Sequence, residues 1–171
     1  MTAAEIILGL VTAQRGAELV LSRYNTRKLM ARGASEVAPG HYPLMAALHA
    51  SWLAALWVFG HDQPVDLAAL AIYLALQVLR AWVMLTLGAR WTTRIIVLPN
   101  APLVASGPYR YLRHPNYAVV TGEIAVLPLM LHLPELAVLF TTLNALLLFI
   151  RIRAEDRALA VSRELATGQM P

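Results

Sequence analysis

Apolar residues in this chain come in runs long enough to cross a bilayer. They cover about 4–22, 43–60, 66–87, 117–133 and 135–150, each near the ~20 residues that a helix needs to span the hydrocarbon core. In lipid every backbone N–H and C=O must be satisfied within its own segment, so such runs fold as helices. The expectation is an all-α integral membrane bundle of five transmembrane helices, a single membrane domain over 1–171. The last two runs meet at His132-Leu133-Pro134, where a proline just inside a new helix suits a helical hairpin. Composition agrees, with 58% hydrophobic and 14% charged residues where a soluble domain carries roughly 25% charged. A mean hydropathy of +0.58 leaves too little polar surface to cover a water-soluble globule. Disorder is excluded, and the absence of cysteine removes a disulfide scaffold, thiolate metal sites and cysteine nucleophiles.

The basic residues orient the bundle. Arg23, Arg27, Lys28 and Arg32 follow the first run, Arg90, Arg94, Arg110 and Arg113 the third, and Arg151, Arg153, Arg157 and Arg163 the fifth. The connections on the opposite side hold none, and Arg15 and Arg80 lie inside runs. Cytoplasmic connections carry the excess of Lys and Arg, so a multi-pass protein of the cell membrane is expected, N-terminus outside and C-terminus cytoplasmic. Met1 to Glu5 has no basic n-region, and Arg15 and Glu18 interrupt the first apolar run, so that span is expected to be retained rather than cleaved as a signal peptide. The net charge of +4 is then topology and contact with anionic headgroups of membrane lipids. No nucleic-acid partner is expected.

Five polar residues fall inside the runs at matching depth. Counted from the cytoplasmic end of each, Arg15, His49, Arg80, Glu123 and Asn144 all sit at about 9–10 Å, at 1.5 Å per residue. Charged groups at such depth cost roughly 2.5–3.5 kcal/mol each and normally face the bundle interior or a wet cavity. Tyr73, Gln77, Arg80 and Met84 share one helical face, as do Arg15 and Glu18. Glu123 could pair with Arg80 or with Arg15. The layer is either an ion-pair network that fixes helix packing or a substrate pocket.

The connection from Gly88 to Asn116 is far longer than the 2–8 residues that usually join bundle helices. Pro99, Pro102, Pro108 and Pro115 forbid regular helix through most of it. Its second half, from Ser106 to Tyr117, is dense in Tyr, Arg and His. These are either interfacial anchors or the lining of a cofactor site. After the fifth run, Arg151 and Glu155 lie four apart on one helical face. A short hairpin returns position 151 to the membrane surface that position 117 left, so the two pieces can close one pocket.

Taken together, Leu87-Gly88-Ala89-Arg90-Trp91-Thr92, Gly107-Pro108-Tyr109, Arg113-His114-Pro115-Asn116-Tyr117, an apolar hairpin, and Arg151 followed by Glu155-Asp156 resemble the isoprenylcysteine carboxyl methyltransferase family and its phospholipid-methyltransferase relatives. The resemblance covers about 85–160. It implies a membrane enzyme that transfers methyl from S-adenosylmethionine, bound at the cytoplasmic face, to a lipophilic small-molecule acceptor arriving from the bilayer. Position by position, it implies cofactor contacts from Ala101-Pro102-Leu103-Val104, Tyr109, His114, Pro115, Asn116, Tyr117 and Glu155, with Arg151 on the acceptor side. The family often has His-Lys at Ala101-Pro102, so contacts there would run through backbone; it often has glutamine at Arg94, glycine at Val119, and a second glutamate at Asp156.

Arg90 to Pro99 and His41-Tyr42-Pro43 look most like a bacterial branch often associated with type III polyketide synthases and implicated in O-methylation of alkylpyrones. The resemblance therefore implies transfer to a carboxylate or hydroxyl oxygen, with Arg151 and Glu155 as catalytic residues; the shared depth of Arg15, His49, Arg80, Glu123 and Asn144 makes those five the candidates for a substrate pocket. The alternatives are phospholipid N-methylation and a membrane carrier without catalysis. No metal is expected, since the five histidines are scattered without paired ligand spacing.

Overall fold

The computed structural model describes residues 1–99 and 101–167, with side chains through Asp156 apart from that of His41. Arg157 and Arg163 therefore lie outside the described side chains. Five helices carry the chain: α1 (Ala3–Met30), α2 (His41–Gly60), α3 (Leu67–Leu87), α4 (Pro115–Met130) and α5 (Pro134–Thr167). They run alternately up and down. α4 packs between α3 and α5, and α2 lies against α1 and α5.

Local chemistry sets the helix starts. Thr2 caps α1, its hydroxyl accepting the Glu5 N–H at 3.0 Å while the Glu5 carboxylate accepts the Thr2 N–H at 2.8 Å, a reciprocal capping box. Asp66 caps α3 by accepting the Ala69 N–H at 2.7 Å. Pro115 and Pro134 open α4 and α5, where a missing N–H costs nothing. The hairpin turns at Leu131–Leu133, with His132 at φ +56° and the Leu133 N–H donating to the Pro128 carbonyl at 2.9 Å.

Among the described residues, three helical stretches are long and apolar enough to cross a membrane: Tyr42–Gly60, Leu67–Arg90 and Pro134–Asp156. Less than a third of each is buried within the bundle, and Val58, Phe59, Ile72, Val78, Leu85 and Val138 are among the side chains left more than half exposed. Such a surface suits lipid and not water. The other two expected spans differ. α1 has the length, at 28 residues, but carries six charged side chains along it. α4 has only 16 residues, about 24 Å at 1.5 Å each, short of a hydrocarbon core of ~30 Å. α5 is longer than expected: its 34 residues fuse the fifth span and the following polar helix without a break, because the segment holds no glycine or proline after Pro134 until Gly168.

The apolar core sits at the hairpin end. Leu8, Trp52, Leu56, Ile124, Leu127, Met130 and Leu131 are each 2% exposed or less and form one cluster from the start of α1 and the ends of α2 and α4. The opposite end is polar. There a two-residue ribbon forms that the apolar pattern does not announce: β1 (Ser35–Glu36) pairs antiparallel with β2 (Ile96–Val97), Ser35 opposite Val97. It ties the connection after α1 to the connection after α3. Arg94 clamps the ribbon, donating to both oxygens of Glu36 at 2.8 and 2.9 Å and lying 4.1 Å over the Tyr42 ring.

Candidate active site

The long connection folds back over the polar end and, with the start of α4 and the middle of α5, encloses a cavity of about 880 Å³. Small-molecule sites typically measure ~300–1,000 Å³. Two 3-10 turns, Gly88–Arg90 and Gly107–Arg110, take the place of helix where the prolines forbid it. Gly107 has φ +57°, and a Cβ there would collide with the Thr86 hydroxyl, so this turn needs glycine for both its conformation and its approach to α3. Arg90 fixes the next segment by donating to the Pro102 carbonyl at 2.6 Å.

The two pieces flanking the hairpin meet. The Tyr117 hydroxyl donates to Glu155 Oε2 at 2.6 Å and accepts from Arg151 Nε at 2.9 Å. Arg151 Nη2 donates to the Thr93 carbonyl at 2.7 Å. Arg151 is only 6% exposed, and its guanidinium lies 5.5 Å from the Tyr117 ring centre. The His114 and Tyr117 rings stack at 5.4 Å. His114 Nδ1 stands 3.7 Å from Glu155, and its Nε2 stands 3.3 Å from Asp156 without hydrogen-bond geometry. Burial and the nearby Glu155 carboxylate push the Tyr109 phenol up to about 12, so it is a neutral group throughout the physiological range.

Of the residues expected to touch a cofactor, Leu103, Val104, Tyr109, His114, Asn116, Tyr117 and Glu155 all line the cavity, and so does Arg151. Pro115 does not; it is fully buried as the first residue of α4. The expected intramembrane layer lies elsewhere. None of Arg15, His49, Arg80, Glu123 and Asn144 lines the cavity.

Three of that layer are joined. Glu123 accepts from both Arg15, at 2.7 Å, and Arg80, and Gln77 adds a bond at 2.7 Å. Glu18 accepts from Arg15 at 2.7 Å, Arg80 at 3.1 Å and Gln14 at 2.9 Å. Glu123 thus takes both of the partners open to it from sequence, and the four charges sum to zero. The other two stand apart from this network. Asn144 on α5 donates to Thr121 on α4 at 3.2 Å, and His49 bonds the Met45 carbonyl of its own helix at 2.8 Å.

The residue-level reading of the sequence misses Thr93, Ser22 and Asn25. Ser22 accepts the Thr93 N–H at 2.8 Å and pairs with its hydroxyl at 2.8 Å. Asn25 donates to the Trp91 carbonyl at 2.8 Å. Their signal is present in α1, where Gln14, Glu18, Ser22 and Asn25 recur at spacings of four, four and three, a polar stripe along one face.

A family model for isoprenylcysteine carboxyl methyltransferase (ICMT) matches residues 69–161. The protein YpbQ of Bacillus subtilis (strain 168) is 38% identical over 159 residues, covering 90% of this chain and 95% of its own length. A Haemophilus influenzae protein is 25% identical over 161 residues, covering 91% and 94%. No solved structure matches the chain. The matched stretch contains every cavity-lining segment from Leu87 through Asp156, and on that ground the chain belongs to the isoprenylcysteine carboxyl methyltransferase family, as a membrane methyltransferase.

Proposed function

We propose that the cavity binds S-adenosylmethionine and that the chain transfers methyl to a carboxylate or hydroxyl oxygen of a lipophilic acceptor, of isoprenylcysteine or alkylpyrone type. The observation that carries this reading is the Arg151–Tyr117–Glu155 chain of hydrogen bonds, which joins both ends of the hairpin across one wall of a cavity of cofactor size. The residues fit such a group. Glu155 and Asp156 offer carboxylates to a cationic ligand, the stacked His114 and Tyr117 rings offer an aromatic wall, and His114 Nε2 is buried with no hydrogen-bond partner of its own.

When bound, S-adenosylmethionine supplies a methyl group activated by its sulfonium. The chain then needs no covalent nucleophile, and its work is to hold two reactants in line. Glu155, oriented by the Tyr117 hydroxyl, and His114 would hold polar ends of the cofactor, and Tyr109 and Tyr117 would cover it. Arg151 uses Nε and Nη2 within the protein, so Nη1 is left without a protein partner among the described residues to meet an acceptor oxygen. An acceptor that is already an anion near neutral pH needs no general base. Arg90, Arg113 and Arg151, beside an Arg94 already paired with Glu36, line the cavity against two carboxylates, which favours an anionic acceptor over the amine of a phospholipid.

The Arg15–Glu18–Arg80–Glu123 network braces the helices beneath the site. The arginine distribution supports a cytoplasmic position for the cavity end in the cell membrane.

The test is calorimetry of the solubilised full chain with S-adenosylmethionine, followed by methyl transfer from radiolabelled cofactor into a lipid extract separated by class. Binding and an oxygen-linked methyl product are expected. A labelled amine lipid overturns the acceptor class, and absence of binding overturns the enzyme in favour of a carrier.

A further inference from the structure

Helix α1 lies wholly outside the matched stretch of 69–161, yet it supplies the side chains on which one wall of the cavity rests. Ser22 and Asn25 are 2% and 3% exposed, and both direct their polar atoms to the segment after α3. Ser22 Oγ takes the Thr93 N–H, and Asn25 Nδ2 is shared between the Trp91 carbonyl at 2.8 Å and the Gly88 carbonyl at 3.4 Å. The Ser22 bond fixes the Thr92–Thr93 peptide, Ser22 also pairs with the Thr93 hydroxyl at 2.8 Å, and the next carbonyl leaves from this anchored residue. That carbonyl, on Thr93, accepts Arg151 Nη2. The Trp91 indole, 2% exposed, meets Asn116 at 3.5 Å on the other side.

We propose that Ser22 and Asn25 are positioning residues for methyl transfer, acting through the Thr93 carbonyl to fix the rotamer of Arg151. This inference rests on the role given to Arg151 above. No other acceptor on a neighbouring element bonds Arg151 Nη2 among the described residues, and a guanidinium released from Thr93 can turn about the Tyr117 hydroxyl. The nearby network of Arg15, Glu18, Arg80 and Glu123 reaches α1 one turn before Ser22 and makes no bond to it among the described residues.

The test uses the full chain in detergent with Ser22→Ala and, as a second variant, the near-isosteric Asn25→Leu. Arginine labelling by phenylglyoxal, read by mass spectrometry, reports Arg151 without any ligand, and Arg80, 4% exposed, serves as the reference for global loosening. Labelling of Arg151 should rise several-fold in either variant while Arg80 stays protected. Turnover should fall by about tenfold or more, as for a misplaced reacting group, with the KM for S-adenosylmethionine changed by less than about twofold. Protection of Arg151 at the wild-type level, or equal exposure of Arg80, overturns the inference. A wild-type chain that transfers no methyl overturns the function instead, and the labelling result still decides the positioning claim.

Discussion

Arg151 is held by a carbonyl and a hydroxyl before any ligand arrives, which is the condition for steering an acceptor without reorganisation. Arg151→Ala should lower turnover by about a hundredfold or more and leave S-adenosylmethionine affinity within a few-fold, measured by single-turnover transfer and calorimetry. Arg151→Lys should not rescue it, because an ammonium carries its donors on one nitrogen and cannot span the separate positions of Nε, Nη1 and Nη2. Glu123 tests the brace. It is 1% exposed and faces two arginines, so Glu123→Ala leaves two buried cations sharing Glu18 alone, one charge uncompensated, and should cost about 3–5 kcal/mol. Arg94→Ala breaks an ion pair in which the arginine is 37% exposed and should cost under about 1 kcal/mol. Unfolding titrations of both variants check the contrast. Tyr109 gives a pH signature. Its phenol is raised from 10.0 to about 12, so the folded state favours the protonated form; the resulting stability is fully present below pH 10 and is lost as pH rises toward 12. Tyr109→Phe should flatten stability across that window, read as midpoints on either side of it.

At the scale of elements, the helices were legible and the loop was not. Spans two and three match α2 and α3 closely because apolar runs bounded by Gly60, Asp66 and Gly88 leave no other conformation in lipid. The helix after the fifth run was legible from its helix formers, but its fusion with the span was not, since Arg151-Ile152-Arg153-Ala154-Glu155 changes polarity at the expected boundary. Nor was the β1–β2 ribbon, because two-residue pairing between distant segments leaves no periodicity. The cavity-lining residues from Tyr109 to Tyr117 and at Arg151 and Glu155 were readable from motif order around the hairpin. Ser22, Asn25 and Thr93 were not found, since their role is a contact across 66 to 71 positions. The loop itself depends on the turn at Gly107. Gly107→Ala brings both a disfavoured φ and a collision with Thr86, and should weaken S-adenosylmethionine binding by about tenfold or more, a shift equivalent to some 1.4 kcal/mol. Calorimetry on the solubilised variant checks it.

Across the whole molecule, polarity is divided between ends: the apolar cluster fills the hairpin end, and the cavity and arginines occupy the other. The absence of native cysteine makes sidedness directly measurable. With single substitutions at two exposed loop positions, Asp62→Cys should react with a membrane-impermeant maleimide on intact cells, and Arg32→Cys only after permeabilisation; the reverse pattern would invert the topology. The sequence by itself determined the medium and the helices, because hydrocarbon forbids unpaired backbone and so turns composition directly into secondary structure. It also determined which short motifs stand at the cavity. Tertiary structure alone decided how the buried charges pair and that the first helix holds the wall behind Arg151. Those outcomes depend on distances between residues far apart in the chain, which only the packed bundle sets.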